Sequence, residues 1–167
     1  MLSPRFKSLG RTDPIWVDAI LDWRWTWLIA RLALTAPFIV GALMKLSNLP
    51  AAILEQEHFG LHPGLPWALA TIVVEVVGPV MILTGRFIWL GAGALAVFTF
   101  IANLLANRFW EMSGAERFMA TNGFFEHIAL IGGFVLAALA AEFEQRKYSA
   151  KREVSEGERV NDPKWWH

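Results

Sequence analysis

Glu75 is set apart by its surroundings, the apolar stretch TIVVEVVGPV. A charge at the centre of a membrane span costs about 2.5–3.5 kcal/mol even on a forgiving insertion scale. Such a carboxylate has to be protonated, paired or wetted. Lys45, Asn103, Asn107, Glu126 and His127 lie at or near the ends of the other apolar stretches. With Glu75 they form a candidate polar layer of amine, amides, carboxylates and imidazole. Two readings of this layer stand side by side. In one, Glu75 pairs with Lys45 or hydrogen-bonds Asn103 and ties helices together. In the other, the groups line a small polar cavity, open outward, that binds a ligand or relays protons. A tie between helices can also line a cavity, so the two are compatible.

Other chemistry is thinly represented. The chain has no cysteine, which removes disulfides, thiol catalysis and iron–sulfur ligation by this chain. His58 and His62 stand near Glu55 and Glu57 in a Pro/Gly-rich loop without a recognised ligand spacing, and no metal is assigned to them. A haem held by two histidines wants both at membrane depth, and His127 alone comes near. There is no phosphate loop, dinucleotide fingerprint or nucleophile elbow. No self-contained catalytic constellation is visible. Formal net charge is zero, so no electrostatic pull toward nucleic acid is implied.

The elements that must position these groups are apolar. Only 18% of the 167 residues are charged, against about a quarter in soluble domains, and the apolar residues gather into four blocks. The third, IWLGAGALAVFTFIANLLA, carries no charge, so a soluble bundle, whose helices need polar outer faces, is disfavoured. A hydrocarbon core about 30 Å thick needs about 20 such residues. The expected fold is an all-α, four-helix transmembrane bundle with spans near 27–46, 67–85, 88–106 and 124–141. A segment 1–26 precedes it and a tail 142–167 follows. The first segment lacks a short apolar core with a cleavage site, so the first block is expected to stay as an anchor.

Lys and Arg concentrate before the first span, at Arg86 and after the fourth span, whereas the loop 47–66 has none. Both termini are therefore expected to be cytoplasmic. That threading brings Glu75 (roughly 12 Å below the outer interface, eight residues past Trp67) to the level of Lys45, Asn103, Asn107, Glu126 and His127. Trp27, Trp67, Trp89 and Trp110 fall near span ends, as interfacial anchors should. Arg31 is expected to snorkel, with Glu142 as a candidate partner. Glycines 41, 78, 91, 93, 132 and 133 read as helix-packing positions, and Pro79 as a kink beside Glu75.

Two further elements flank the spans. DPIWVDAILDWRW, with Asp13 as cap and Pro14 at the first helical position, forms either an interfacial helix or a cap over the bundle. Residues 50–59 form a short outer-loop helix. Trp16 and Trp23 before the first span, and Trp165 and Trp166 in the tail, are candidate partner-binding aromatics.

RLALTAPFIVGALMKL, GLPWALATIVVEVVGPVMILTGR, NRFW and HIALIGGFVL together cover about residues 27–141. In order and spacing they resemble the DoxX family of small bacterial four-helix membrane proteins. Asn107 and the Glu126–His127 pair depart from the family pattern. The resemblance implies a multi-pass protein of the bacterial inner membrane. Founding members of that family look like small subunits of a thiosulfate:quinone oxidoreductase, which implies a membrane complex and a quinone. The leading expectation is a non-catalytic accessory subunit of a larger membrane complex, itself binding no cofactor alone. The second is a quinone-linked oxidoreductase subunit whose polar layer receives the quinone head group. A small carrier using Glu75 is the third, disfavoured by four spans and no clear repeat unless the chain forms homo-oligomers.

The topology is directly testable. Single cysteines placed in this cysteine-free chain should react with an impermeant thiol reagent on intact cells in 47–66 and 108–123, and not at the termini. Labelling of both termini from outside would overturn the assignment.

Overall fold

The computed structural model describes residues 14–160. Asp13, Trp165 and Trp166 lie outside this range. Within it the chain is helical, without a strand among the described residues. The elements are α1 (Ile15–Leu21), α2 (Thr26–Ser47), α3 (Leu49–His58), α4 (Gly64–Thr84), α5 (Ile88–Ala106) and α6 (Gly114–Val160), with a 3-10 turn at Phe109–Glu111. Four of these, α2, α4, α5 and α6, are long and apolar enough to cross a membrane. The bundle is thus the four-span, all-α architecture that the apolar blocks imply.

Side chains facing away from the bundle are those a lipid phase requires. Val40, Leu43, Val73, Val80, Val97, Phe100 and Leu136 are all exposed. In water such a surface would be an aggregation site, and in hydrocarbon it is the favoured one. The interior is small and aromatic. Phe38 of α2 meets Phe134 of α6 at 5.5 Å and Phe98 of α5 at 6.3 Å between ring centroids. Ile82, Ala92 and Leu95 complete this core.

Lipid supplies no hydrophobic drive between helices, so close packing must hold them. The α4–α5 contact shows how. A Cβ on Gly91 would stand 2.8 Å from the Gly78 carbonyl oxygen and 2.9 Å from Met81 Cβ, and one on Gly78 would stand 2.6 Å from Leu95 Cγ. Gly133 likewise admits Leu34. Gly93 and Gly132 have no such neighbour, so these two are not packing glycines. The link from α4 to α5 is tight: Gly85 (φ 76°) and Phe87 (φ 57°) both adopt left-handed conformations.

Several elements differ in extent from the sequence expectation. α4 begins at Gly64, ahead of residue 67, because the Pro63 to Pro66 turn is absorbed into its first turn. α6 begins at Gly114, ten residues ahead of the expected 124. The segment GAERFMATNG is polar enough to read as a loop, yet Ala, Glu, Arg and Met all favour helix. α6 then runs past residue 141, with exposed Glu142–Arg146 and Arg152–Glu156 pairs at i,i+4 spacing. These pairs supply the local support that polar helices need. Glu142 is therefore engaged by Arg146 rather than Arg31, whose guanidinium stacks on Trp27 at 4.9 Å.

At the chain's start α1 leaves Ile15, Trp16 and Ile20 exposed, with Trp23 exposed just beyond it, and it buries no residue. That rules out a cap seated on the bundle. Pro14 is its N-cap rather than its first helical residue.

Gly91→Ala should destabilise the bundle by about 1–3 kcal/mol, since the new methyl meets backbone that cannot give way. Gly93→Ala should be neutral or mildly stabilising, from helix propensity alone. Thermal unfolding of the two variants in one detergent checks the contrast; equal behaviour would contradict the packing described here.

Candidate functional site

The end of the bundle nearest α3 holds a cavity of about 670 Å³ with walls from α2, α3, α4, α5 and α6. Its lower part is apolar, formed by Phe38, Phe98 and Leu130, and its polar residues include Lys45, Glu75, Thr99 and His127. α3 roofs it with Gln56, which is buried. This roof is built locally: Asn48 caps α3 by accepting the Ala51 N–H at 3.2 Å, and Pro50 sits in the first turn, where its missing N–H costs nothing.

Glu75 is only 5% exposed. Its Oε1 accepts from Lys45 Nζ at 3.0 Å, joining α4 to α2. Gly41, one turn before Lys45 on α2, makes this geometry available. A Cβ there would stand 3.2 Å and 3.3 Å from the two carboxylate oxygens. Gly41 is thus a packing glycine of an unusual kind, cleared for a carboxylate rather than a backbone. Pro79, one turn beyond Glu75 and itself fully buried, has no N–H to give the Glu75 carbonyl. α4 nevertheless continues through it as one helix.

Two buried oxygens of cavity-lining residues lack a hydrogen-bond partner in the protein: Glu75 Oε2 and Thr99 Oγ1. Thr99 is 2% exposed. Three other helical threonines satisfy themselves: Thr35, Thr84 and Thr121 donate to the carbonyls four residues earlier at 2.8, 2.7 and 2.7 Å. Thr99 does not, and its hydroxyl has no partner in the protein. Buried polar atoms nearly always find partners, so two orphans in one cavity mark a place where a partner is expected.

His127 donates from Nδ1 to the Gly123 carbonyl at 2.6 Å. A carbonyl can only accept, so Nδ1 carries the hydrogen and the neutral ring keeps Nε2 as an acceptor. The polar lining of the cavity thus comprises the Lys45 ammonium, the Glu55 and Glu75 carboxylates, the Gln56 amide, the Thr71 and Thr99 hydroxyls and the His127 imidazole, with Phe38, Phe98 and Leu130 as apolar wall.

The remaining members of the expected layer lie elsewhere. Asn103 is fully buried, donates to the Phe124 carbonyl at 3.1 Å and accepts from Asn107 Nδ2 at 2.9 Å. These two amides tie α5 to Phe124 of α6, and no bond joins them to Glu75. Asn107 in turn lies against Gly123, where a Cβ would come within 3.0 Å of its Oδ1. Glu126 is exposed. Adjacent helical residues are turned about 100° apart, so with His127 facing the cavity Glu126 cannot. Position along a helix is legible from residue number, and azimuth is not. Thr99 and Gln56 had no charge to mark them in the sequence, although Thr99 stands one turn before Asn103. Among the described residues no three His, Asp or Glu side chains converge as a metal site.

Comparison with known proteins agrees with this architecture. The DoxX family matches residues 26–108. The inner membrane protein YphA of Escherichia coli (strain K12) is 23% identical over 112 residues, which is 67% of this chain and 80% of that protein. No solved structure matches.

Lys45→Met leaves a buried carboxylate without its cation and should destabilise the bundle by about 3 kcal/mol, while removal of both charges in Lys45→Met/Glu75→Leu should recover most of that loss. A double-mutant cycle of detergent unfolding reads the coupling. Additive effects would mean that the 3.0 Å pair does not hold α2 to α4.

Proposed function

Since the chain is a DoxX-family protein of the bacterial inner membrane that crosses it four times, we propose that it is a non-catalytic subunit of a larger membrane complex that holds a quinone-class molecule in the α3-end cavity. The observation behind this reading is the pair of orphaned oxygens, Glu75 Oε2 and Thr99 Oγ1, set over an apolar floor. A quinone carbonyl accepts hydrogen bonds, which Thr99 and Lys45 offer. A quinol hydroxyl donates, and Glu75 Oε2 accepts. The ring itself matches the aromatic lower wall of Phe38 and Phe98.

Converting quinone to quinol takes two electrons and two protons. The chain has no thiol, and no metal-ligand cluster occurs among the described residues, so the electrons would come from a second protein. In this reading the exposed Trp16 and Trp23 face the bilayer interface or that partner. The amphipathic rings of tryptophan suit either. The tail tryptophans Trp165 and Trp166 are assigned to partner contact on sequence grounds.

Trp67 lines the cavity and provides a reporter. A water-soluble benzoquinone head group added to the purified full chain should quench tryptophan fluorescence saturably, and Trp67→Phe should remove most of the saturable part. Thr99→Val should weaken binding about fivefold, the worth of one hydrogen bond. Glu75→Gln should weaken it about tenfold, as expected for a charge-assisted contact. A saturable quench indifferent to both Glu75→Gln and Thr99→Val would sink the proposal.

A further inference from the structure

A second hollow, an apolar groove of about 520 Å³, runs along α5 from Trp89 and Leu90 through Gly93 and Val97 to Ile101. Polar atoms contribute almost nothing to it. Its α5 residues face the lipid: Trp89, Val97 and Ile101 are each more than half exposed. Val74, Phe98 and Ile101 line this groove and also line the polar cavity. The two hollows therefore share a wall between α4 and α5. Farther toward the Trp89 end the helices are locked together by Gly78, Gly91 and Leu95, so between α4 and α5 the two hollows approach each other at Val74, Phe98 and Ile101.

We propose that the groove is the binding site for the hydrocarbon tail of the same ligand, an isoprenoid chain that passes from the cavity at Val74, Phe98 and Ile101 and lies along α5 toward Trp89. The proposal rests on the quinone-class reading and deepens it, naming a tailed, lipid-soluble quinone that reaches the site laterally from the bilayer. Three observations support it. The hollows share the lining residues Val74, Phe98 and Ile101. The groove spans about 18 Å of helix, from residue 89 to residue 101 at 1.5 Å per residue, long enough for an extended segment of hydrocarbon chain. Gly93 leaves the groove floor open, for a Cβ there meets nothing within 4 Å. Glycine inside a helix is otherwise disfavoured, and this one has no packing partner to account for it.

Gly93→Leu fills the groove without touching the core and with improved helix propensity. The probes are the benzoquinone head group alone and the same head group with a two-isoprene tail, titrated into the full chain in lipid nanodiscs with Trp67 quenching as the readout. The expected result is a roughly tenfold loss of affinity for the tailed probe, about 1.4 kcal/mol, with the head group alone unchanged. Unchanged binding of the bare head group also shows that the variant is folded. Gly93→Ala, which adds only a methyl, should leave both within about twofold. Equal affinity of Gly93→Leu and the parent chain for the tailed probe would assign the groove to ordinary bilayer acyl chains and overturn the inference, while leaving the cavity reading intact. If the head group alone fails to bind the parent chain, the cavity reading falls, and this one falls with it.

Discussion

A carboxylate placed in hydrocarbon cannot stand alone, and much of this bundle is arranged around that fact. Glu75 is met by Lys45 across the α2–α4 contact at 3.0 Å. The pair is accommodated because Gly41 has no side chain to occupy the carboxylate's place. It is roofed by α3, whose own start is secured by the Asn48 cap. Moving two charges from water to the interior carries a desolvation cost that their attraction only partly offsets. An apolar contact in the same position would hold α2 to α4 at least as well. What the pair leaves over is a buried acceptor oxygen, Glu75 Oε2, without a partner in the protein.

The two ends of the bundle divide the work of packing and opening. Toward the Gly85–Phe87 link, α4 and α5 touch through Gly78 and Gly91, and the Phe38, Leu95 and Phe134 cluster fills the interior. Toward α3 lies the cavity, whose lining residues Thr99 and Glu75 keep unpartnered oxygens. Without a hydrophobic drive in lipid, a cavity survives only where neighbouring contacts fix the backbone. The glycine contact on one side and the Asn103–Phe124 bond on the other provide such contacts.

The class of fold was readable because hydrocarbon thickness imposes a length and an apolar composition that no local preference can imitate. The uncharged run 88–106 shows this well: its bounds coincide with α5. The start of α6 was not readable, because residues 114–123 are helical by propensity and by their place beside α5 rather than by hydropathy. In the site, Lys45 and Glu75 were legible as charges out of place. For Asn103 and Asn107 the sequence could not show direction, which depends on the neighbour each helix face meets: they bond to each other and to the Phe124 carbonyl. Thr99 was invisible for another reason. A threonine in a helix normally satisfies itself, and only the structure shows that this one does not.

α6 continues as one helix well past the span, through Glu142–Arg146 and Arg152–Glu156. From Ala141 to Val160 it rises about 28 Å at 1.5 Å per residue, and even a typical tilt of about 20° shortens that stand-off little. At physiological salt the field of a charged lipid surface decays over about 8 Å. Glu156 stands about 22 Å beyond Ala141 along that axis, so the field of a lipid surface at the level of Ala141 would barely reach it.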